Sequence, residues 1–175
     1  IITDTRSERS PASQRDDASK TMLGARQKEW FKRELLAARD SAALIVWLNP
    51  VPWIGAARPG GDGWDGYDAE RQELAAFITE NGIENVLMIS GDAHMTAIDD
   101  GSNSPGGFPV FHAGALDRRG SVKGGPYSEG VSAGGGQFGL VTVNDNGDTV
   151  QVVLSGRNYK NQQVVGYEFT VSADS

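Results

Sequence analysis

The sequence of 175 residues contains no cysteine, only two histidines and no long apolar run. Without cysteine the chain has no disulfide, no thiolate zinc site and no cysteine nucleophile. The apolar run at residues 44–48 is far shorter than the roughly 20 residues that a membrane-spanning helix requires. We therefore predict no membrane span, and any catalysis has to use oxygen and nitrogen side chains.

Positive charge is also scarce in this chain. Lys and Arg number 16 against 23 Asp and Glu, which gives a formal net charge of −7 and an isoelectric point near 4.8. Such an acidic balance argues against a nucleic-acid phosphate clamp. The glycines at 134–136 are not followed by the Lys-Ser or Lys-Thr pair of a P-loop, so a nucleotide site of that kind is excluded.

The residues that are present indicate a single globular domain or a fragment of one. Hydrophobic residues make up 38% of the chain and charged residues 22%, which is enough apolar material for a sizeable core. Apolar side chains at helical spacing predict two helices, over residues 23–39 and 69–81. Thr21 and Asp68 precede them and are the expected N-terminal caps.

Two wholly apolar runs, at residues 43–48 and 86–89, predict strands buried on both faces of a sheet. A helix separates them, so we expect them to be neighbouring parallel strands. Both helices are expected on one side of that sheet. Further strands are predicted at residues 109–113, 138–143, 149–154 and 164–171, the last three forming an antiparallel meander that can contribute to covering the other side.

Polar side chains follow the two apolar strands at their carboxyl ends, which is where open parallel sheets bind ligands. Asn49 follows the first strand, and the segment after the second strand carries Asp92 and His94. In extended backbone these two side chains point to the same side. Carboxylate oxygen and imidazole nitrogen suit Zn, Fe or Mn, and the carboxylate also suits Ca. The alternative is that Asp92 caps the loop and His94 fills a polar pocket.

Four ordered motifs give the chain a family resemblance. Residues 86–94 resemble the last metal motif, Gly-Asp-x-His, of PhoD-like alkaline phosphatases and phosphodiesterases of the calcineurin-like metallophosphoesterase superfamily. Residues 4–9 are similar to that family's Asp-x-Arg-x-x-Arg element, and residues 22–30 to its Leu-Gly-x-x-Gln-x-x-Trp helix start. Residues 64–67, with Arg71, resemble its segment before the second helix. These motifs span about the first hundred residues.

The resemblance implies an α/β fold, the C-terminal half of a metallophosphoesterase-like α/β/β/α sandwich with a mixed sheet, two main helices and a C-terminal antiparallel meander. Within one domain or domain fragment of residues 1–175, it assigns residues 1–100 to the C-terminal part of the core. Residues 101–136 would form a glycine-rich loop region and residues 137–175 the meander. It further implies an exported protein, periplasmic or secreted.

The same resemblance implies a hydrolase of phosphate esters that uses divalent or trivalent metal ions, with Fe, Ca, Zn or Mn as candidates. On this basis His94 is a metal ligand and Asp92 takes the place where the wider superfamily has another histidine. Asn49 lies near the site and is, together with Arg6, a candidate catalytic residue. The family's upstream Asp, Gly-Asp and Gly-Asn motifs are absent from this chain. We therefore expect an upstream N-terminal half of the same protein to supply the remaining ligands, and the isolated chain to be inactive.

Two arginines are candidates for binding the phosphate of a substrate. An acidic protein that binds an anion needs local guanidinium groups, and Arg6 and Arg9 lie in one of the motifs. The alternative is pairing with Asp4 or Glu8 on the surface, which we favour for Arg9 and leave open for Arg6.

His112 lies in the predicted strand 109–113 and is expected to be a structural histidine with satisfied hydrogen bonds.

Two aromatic residues and one loop are considered as possible walls of a substrate cleft. Trp64 is expected to pack in the core, while the role of Tyr67 stays open between packing and a cleft wall. Residues 123–128, Lys-Gly-Gly-Pro-Tyr-Ser, form either a loop over a cleft or a plain turn.

Two other functional classes compete with the metal-dependent hydrolase. One is a non-catalytic binding or structural module that retains half of the fold, which the metal content of the purified protein would distinguish. The other is a serine hydrolase that uses Ser90 or Ser128 with one of the two histidines. This class is weaker because the chain lacks the Gly-x-Ser-x-Gly elbow.

Overall fold

The computed structural model describes residues 1–172, and the last three residues of the predicted meander region lie outside it. Within these residues there are eight strands, a pair of α-helices and a short 3-10 turn. The helices are α1 (Ala25–Arg39) and α2 (Asp68–Glu80), and the turn is Trp64–Gly66. The strands are β1 (Ile45–Asn49), β2 (Val86–Ser90), β3 (Met95–Asp99), β4 (Val110–Ala113), β5 (Val131–Ala133), β6 (Phe138–Asp145), β7 (Thr149–Arg157) and β8 (Gln163–Ser172).

The strands form two sheets. The larger has the order β1-β2-β4-β3-β5, in which β1, β2 and β4 are parallel to one another and β3 is antiparallel to both of its neighbours. The smaller is the antiparallel sheet β6-β7-β8. The prediction of a mixed α/β architecture with a parallel β1-β2 pair and a C-terminal meander is therefore confirmed.

Side chains of the larger sheet alternate between two apolar cores. Trp47 of β1 and Met88 of β2 point to the helices, where they pack with Phe31 of α1 and Leu74 of α2. Leu87 of β2 points the other way, into a core that lies against the smaller sheet. The buried members of that core are Leu87, Ile98, Phe111, Val150, Val152, Leu154 and Val165. The two helices thus lie on one face, as expected, and the meander covers the other.

Strands β3 and β5 were not predicted from the sequence. All five residues of β3 are buried, because β3 lies inside the sheet between β4 and β5 and both of its faces are covered. Its sequence, Met-Thr-Ala-Ile-Asp, has polar residues on each face and so carries neither an alternating nor a wholly apolar pattern. Strand β5 has only three residues and lies in the glycine-rich segment, where it pairs with β3 alone among described strands.

The two expected helix caps are corrected by the structure. Helix α1 begins at Ala25, after Gly24 with a φ of 76°. The Thr21 hydroxyl accepts a hydrogen bond from the amide of Gly24, which lies before the helix, and not from an amide inside it. Asp68 belongs to α2 itself and binds Arg71. The carboxylate of Asp16, far away in sequence, accepts the first amides of α2, and such a long-range cap has no local sequence signal.

No helix within residues 1–172 is both long and apolar enough to cross a bilayer. The face of β1 that points away from the helices is only partly covered. Ile2 and Leu48, which form a parallel bridge at this edge of the sheet, have exposed fractions of 69% and 37%. Apolar surface at a sheet edge is therefore left open to solvent here.

Candidate functional site at the carboxyl ends of the strands

The helix-facing side of the larger sheet changes from apolar to polar at the carboxyl ends of three neighbouring strands. The register pairs residues across β1, β2 and β4, which defines an apolar row (Trp47, Met88, Val110) and, two residues further on, a polar row (Asn49, Ser90, His112). Because side chains alternate with a period of two, both rows point to the same side of the sheet. All three side chains of the polar row are buried.

The segment between β2 and β3 passes over the end of β4. Strand β4 lies between β2 and β3 in the sheet, so residues 91–94 have to cross above its last residues before the chain turns back along β3. This crossing segment carries Asp92 and His94, and the buried ring of His112 lies beneath it. The topology thus places two candidate metal ligands directly at the sheet end where the parallel strands finish.

Asp92 has its carboxylate in solvent and between two cations. Its backbone φ is 69°, a left-handed conformation that Asp adopts more readily than most residues. One carboxylate oxygen lies 4.0 Å from Nη2 of Arg6 and the other 3.4 Å from Nζ of Lys123. Within residues 1–172 no backbone amide donates to this carboxylate, so the loop-capping alternative lacks its defining hydrogen bond. The oxygens stay accessible for a cation.

His94 is half-buried and held by a single ring nitrogen. Its Nδ1 lies 2.9 Å from the carbonyl oxygen of Arg119, and since a carbonyl only accepts, Nδ1 carries the proton. The Nε2 atom of the neutral ring then has a free lone pair. Histidine ligands of metals almost always donate the other ring N–H to an acceptor of this kind. The orientation of His94 therefore fits that of a metal ligand.

Asn49 lies at the same sheet end, but its polar atoms already have partners in the protein. Its Nδ2 donates to the carbonyl of Val51 at 2.8 Å and approaches the sulfur of Met88, and its Oδ1 accepts the indole N–H of Trp64 at 3.0 Å. These bonds fix the segment that follows β1. The structure thus places Asn49 beneath the site and not in its solvent-facing region.

Arg6 reaches Asp92 from the N-terminal segment. The backbone amide of Arg6 donates to the carboxylate of Asp4, which also accepts from the amide and hydroxyl of Ser7, and these bonds lower the pKa of Asp4, the hydroxyl bond most. The side-chain amide of Gln27 in α1 accepts a hydrogen bond from the backbone amide of Asp4 and donates one to its carbonyl. Arg9 does not make the expected surface pair with Asp4 or Glu8, because its guanidinium donates to the carbonyl of Asp62.

His112 supports the crossing segment from below. The backbone amide of Ala93 donates to its Nε2 at 3.2 Å, so the proton is on Nδ1, which donates to the hydroxyl of Ser90 at 2.8 Å. Burial lowers the pKa of His112 from 6.5 to about 4, more than the attraction of Asp92 and the bonds to backbone raise it. The imidazole is neutral at neutral pH and joins the two ends of residues 90–93.

This hydrogen-bond pattern also bears on the serine hydrolase alternative. Ser90 and His112 are within hydrogen-bond distance, but the imidazole donates to the serine oxygen. A general base must instead accept the hydroxyl proton. The other nitrogen of the ring is occupied by Ala93, and Ser90 itself is buried. The pair therefore has the wrong proton arrangement for activating a serine nucleophile.

Lys123 is a contact of the site that the sequence interpretation did not single out as a functional residue. It belongs to the loop 123–128, which lies over a cleft, one of the two arrangements considered above. The cleft has a volume of about 460 Å³, and its wall includes Asp92, Lys123, Arg58 and Asp65. Arg58 and Asp65 form an ion pair at 2.6 Å. Lys123 could have been suspected only from its position in a Gly-Pro loop of unusual composition.

The candidate residues of this chain provide only part of the ligands that a metal ion needs. Asp92 supplies an accessible carboxylate and His94 a free ring nitrogen, which are ligand types for Zn, Fe or Mn. No group of three or more His, Asp or Glu side chains within residues 1–172 is arranged to hold a metal ion.

Trp64 and Tyr67 are fully buried, and the hydroxyl of Tyr67 donates to the carbonyl of Ser10, so both contribute to packing here.

Comparison with known proteins places this chain in a family. The model of the PhoD-like phosphatase family matches residues 1–129, which is more than half of the chain. The chain therefore belongs to the PhoD-like phosphatases, as the four motifs indicated. This match ends between β4 and β5, so it includes the whole candidate site, Lys123 among its residues, but not the smaller sheet.

Two relatives support the assignment at different levels. Alkaline phosphatase D of Bacillus subtilis (strain 168) is 28% identical over 89 residues, which are 48% of this chain and 15% of that protein. A solved structure of PhoD superposes on 99% of this chain and 40% of its own with a TM-score of 0.60 at 19% identity, which establishes the shared fold. The chain thus spans less than half the length of either relative.

Proposed function

We propose that this chain supplies the C-terminal part of the active site of a metal-dependent phosphoesterase, a PhoD-like alkaline phosphatase or phosphodiesterase. Membership of the PhoD-like phosphatases supports phosphoesterase chemistry in general. The observation that carries the more specific proposal is the state of His94, whose Nδ1 is bound by a backbone carbonyl while its Nε2 keeps a lone pair, two positions from the accessible Asp92 carboxylate. That arrangement has the features of a ligand pair prepared for a metal ion.

In this proposal the residues of the chain have distinct tasks. Asp92 and His94 hold a metal ion, with Fe, Ca, Zn or Mn as candidates. When bound, the metal would polarise a phosphoryl oxygen and lower the pKa of a water molecule that attacks phosphorus. Arg6 binds a negatively charged oxygen of the phosphate, for which its fork of N–H donors is suited. Asn49 keeps the segment after β1 in place beside the site.

The remaining ligands would come from an upstream N-terminal half of the same protein. The described residues offer two strong ligand types, whereas a catalytic metal needs three or more protein ligands. The exposed apolar edge formed by Ile2 and Leu48 is where we expect that half to pack, because apolar side chains at a sheet edge gain by being covered. The family resemblance further suggests that the complete protein is exported.

Replacement of His94 tests the proposed site directly. In the complete protein, His94→Ala is expected to lower the turnover of a chromogenic phosphate ester by at least about 100-fold and to lower the metal content, because a ligand is lost. Circular dichroism should show an unchanged fold. Tyr159→Ala is the control, since it removes an exposed ring in the turn between β7 and β8. Near-normal turnover with normal metal content in His94→Ala would remove His94 from the mechanism.

Expression as two separate polypeptides tests the division of the site. The isolated 175 residues are expected to bind divalent metal weakly and to hydrolyse neither a phosphomonoester nor a phosphodiester. Co-expression with the upstream half should restore metal binding and hydrolysis together, because the missing ligands and the covering layer return at once. Full activity of the isolated chain as a monomer would contradict the division.

The alternative function is a non-catalytic binding or structural module that retains this half of the fold. The observation in its favour is that no three His, Asp or Glu side chains of the described residues are grouped so that they could hold a metal ion. Metal analysis of the complete, purified protein distinguishes the two functions. A stoichiometric metal that is lost in Asp92→Asn supports the hydrolase, whereas a metal-free protein supports the module.

A further inference from the structure

The loop that carries Lys123 is fixed at both ends against the candidate site. Two residues before the loop, the amide of Ser121 donates to the backbone carbonyl of His94 at 3.0 Å, so the chain entering the loop is attached to the residue after Asp92 and Ala93. Within the loop, the amide of Gly125 approaches the carbonyl of Ile54 at 3.4 Å. Between these attachments Lys123 extends across the cleft towards Asp92.

Two buried side chains hold the same loop from inside. The hydroxyl of Tyr127, itself largely buried, donates to the carbonyl of Lys123 at 3.0 Å. The fully buried carboxylate of Asp99, at the end of β3, accepts the amide of Ser128 at 3.0 Å and ties the loop exit to the larger sheet. The position of the Lys123 backbone is therefore determined by the core and not by solvent.

Glycine at position 124 permits the closest approach of the loop. Its φ is 70°, and a Cβ atom there would lie 2.0 Å from the carbonyl oxygen of Ile54, which is far inside van der Waals contact. Only glycine can occupy this position without moving the loop. The residue after Lys123 thus brings the loop close to the segment that follows β1.

The ammonium of Lys123 has donors to spare. It lies 3.4 Å from one oxygen of Asp92 and is 43% exposed, while Arg6 lies 4.0 Å from the other oxygen and is 47% exposed. Such exposed ion pairs add little to stability, so the well-fixed loop is not explained by this pair. A lysine has three N–H donors, and Asp92 uses one of them. The other two are available to an anion beside Asp92.

We propose that Lys123, which contacts the Asp92 oxygen that does not face Arg6, is a substrate-binding residue that donates to a non-bridging oxygen of the phosphate. This inference rests on the proposed function, because the anion is the phosphoryl group of that reaction. The negative charge of Asp62 and the Arg58–Asp65 ion pair lie in the same cleft wall. Lys123 and Arg6 are the cations in contact with Asp92, so they set the charge where the phosphate would lie.

The test measures binding of inorganic phosphate by the complete, metal-loaded protein, together with KM and metal content. Lys123→Ala should weaken phosphate binding and raise KM by about tenfold or more, because a charge-assisted hydrogen bond is lost. Lys123→Arg, which keeps the charge, should retain most of the affinity. Lys160→Ala is the matched control, because that lysine lies over the exposed ring of Tyr159 in the β7-β8 turn. Its loss should change neither the phosphate affinity nor KM.

Each result decides the question. Unchanged phosphate affinity in Lys123→Ala, or an equal loss in Lys123→Arg, overturns the proposal. A loss of affinity that accompanies a loss of metal also overturns it, because Lys123 would then act through Asp92. If the wild-type protein fails to bind phosphate, the proposal falls with it. If the wild type binds phosphate through Lys123 but hydrolyses no phosphate ester, the inference is supported and the proposed function is wrong.

Discussion

The two faces of the larger sheet differ most at the carboxyl ends of its strands. Towards the helices, the apolar row is followed by the polar row, whose buried side chains all have hydrogen-bond partners. Towards the smaller sheet, Ile89 and Phe111 keep the face apolar to the end of the same strands. The chemistry of the candidate site therefore arises on one face only, while the other face serves the packing of the two sheets.

The two faces are also filled in different ways. On the helix side the space is taken by large rings, with Trp47 at ring-centroid distances of 4.5 Å from Phe31 and 5.2 Å from Trp53. On the other side the backbones of the two sheets come close at glycines. A Cβ atom at Gly156 would lie 2.1 Å from the methyl carbon of Thr96. Substitution of a packed ring on one face, or of a close-contact glycine on the other, should therefore lower stability without replacing a residue of the candidate site.

The largest effect is expected from removing a ring on the helix side. Trp47→Ala leaves a cavity between α1 and the sheet and should lower the free energy of unfolding by about 3–5 kcal/mol. Denaturant unfolding of the purified protein measures this loss. Tyr159→Ala, which truncates an exposed ring, is the matched control and should change stability by less than about 0.5 kcal/mol. Equal losses in the two variants would show that the ring cluster is not the main core.

The polar row predicts a pH dependence through His112. Its pKa is lowered by burial from 6.5 to about 4, so the folded state favours the neutral ring. The stabilisation is complete above the unfolded pKa and is lost as the pH falls towards about 4. The shift corresponds to a loss on the order of 3 kcal/mol over that range.

Comparison with His112→Asn isolates this contribution from the titration of carboxylates. Unfolding free energies at about pH 7 and about pH 4.5, on either side of most of this titration, should differ less in the variant than in the wild type. A variant with the same pH profile as the wild type would show that His112 is accessible and titrates freely. It would also remove the support that this ring is inferred to give to residues 90–93.

The sequence was sufficient for those elements of the fold that have local signals. Both helices, β1 and β2 were predicted with small errors at their ends, because apolar periodicity and wholly apolar runs depend only on neighbours in the chain. Strand β3 was missed because its burial results from its place between β4 and β5. The same limit explains Asp16, which caps α2 from a loop 52 residues away from Asp68.

In the candidate site, too, local motifs pointed to some residues, whereas other contacts depend on the assembled fold. Asp92, His94 and Arg6 were proposed from motifs, and they remain proposals for the metal and phosphate sites. That His112 lies beneath residues 90–93 follows from the order of the strands, which places β4 between β2 and β3. Lys123 reaches Asp92 across 31 positions of sequence. Contacts of this range need the assembled sheet, so spacing in the sequence does not predict them.

A smaller effect is expected on the face between the two sheets. Gly156→Ala places a methyl group against Thr96 and Val165 and should cost about 1–3 kcal/mol of stability by overpacking. The double variant with Thr96→Ser removes the nearest methyl group but keeps the hydroxyl that binds Gln137. It should recover some of the loss in thermal unfolding. If the single substitution is neutral, the sheets are less closely packed at this point than the structure has them.

The smallest effect is expected on the outer surface of the helices, away from both faces of the sheet. Glu73 of α2 accepts hydrogen bonds from Lys28 and Lys32 of α1, each at 2.7 Å. Burial raises its pKa, but the two lysines outweigh burial and keep the pKa below its usual value. The resulting stabilisation is present above the unfolded pKa and is lost as the pH falls. Because Glu73 is exposed to solvent, we expect less than about 1 kcal/mol from the whole cluster.

Glu73→Gln should therefore change the melting temperature only slightly, and less still at high salt, where exposed charges are screened. Glu70, one turn away on the same helix, is the matched contrast, because its buried carboxylate accepts the amides of Met22 and Leu23 before α1. Glu70→Ala leaves those buried amides without a partner and should cost more than Glu73→Ala. Thermal unfolding of the two alanine variants at two salt concentrations measures the difference. Similar losses at both positions would mean that burial does not decide the strength of these carboxylate contacts.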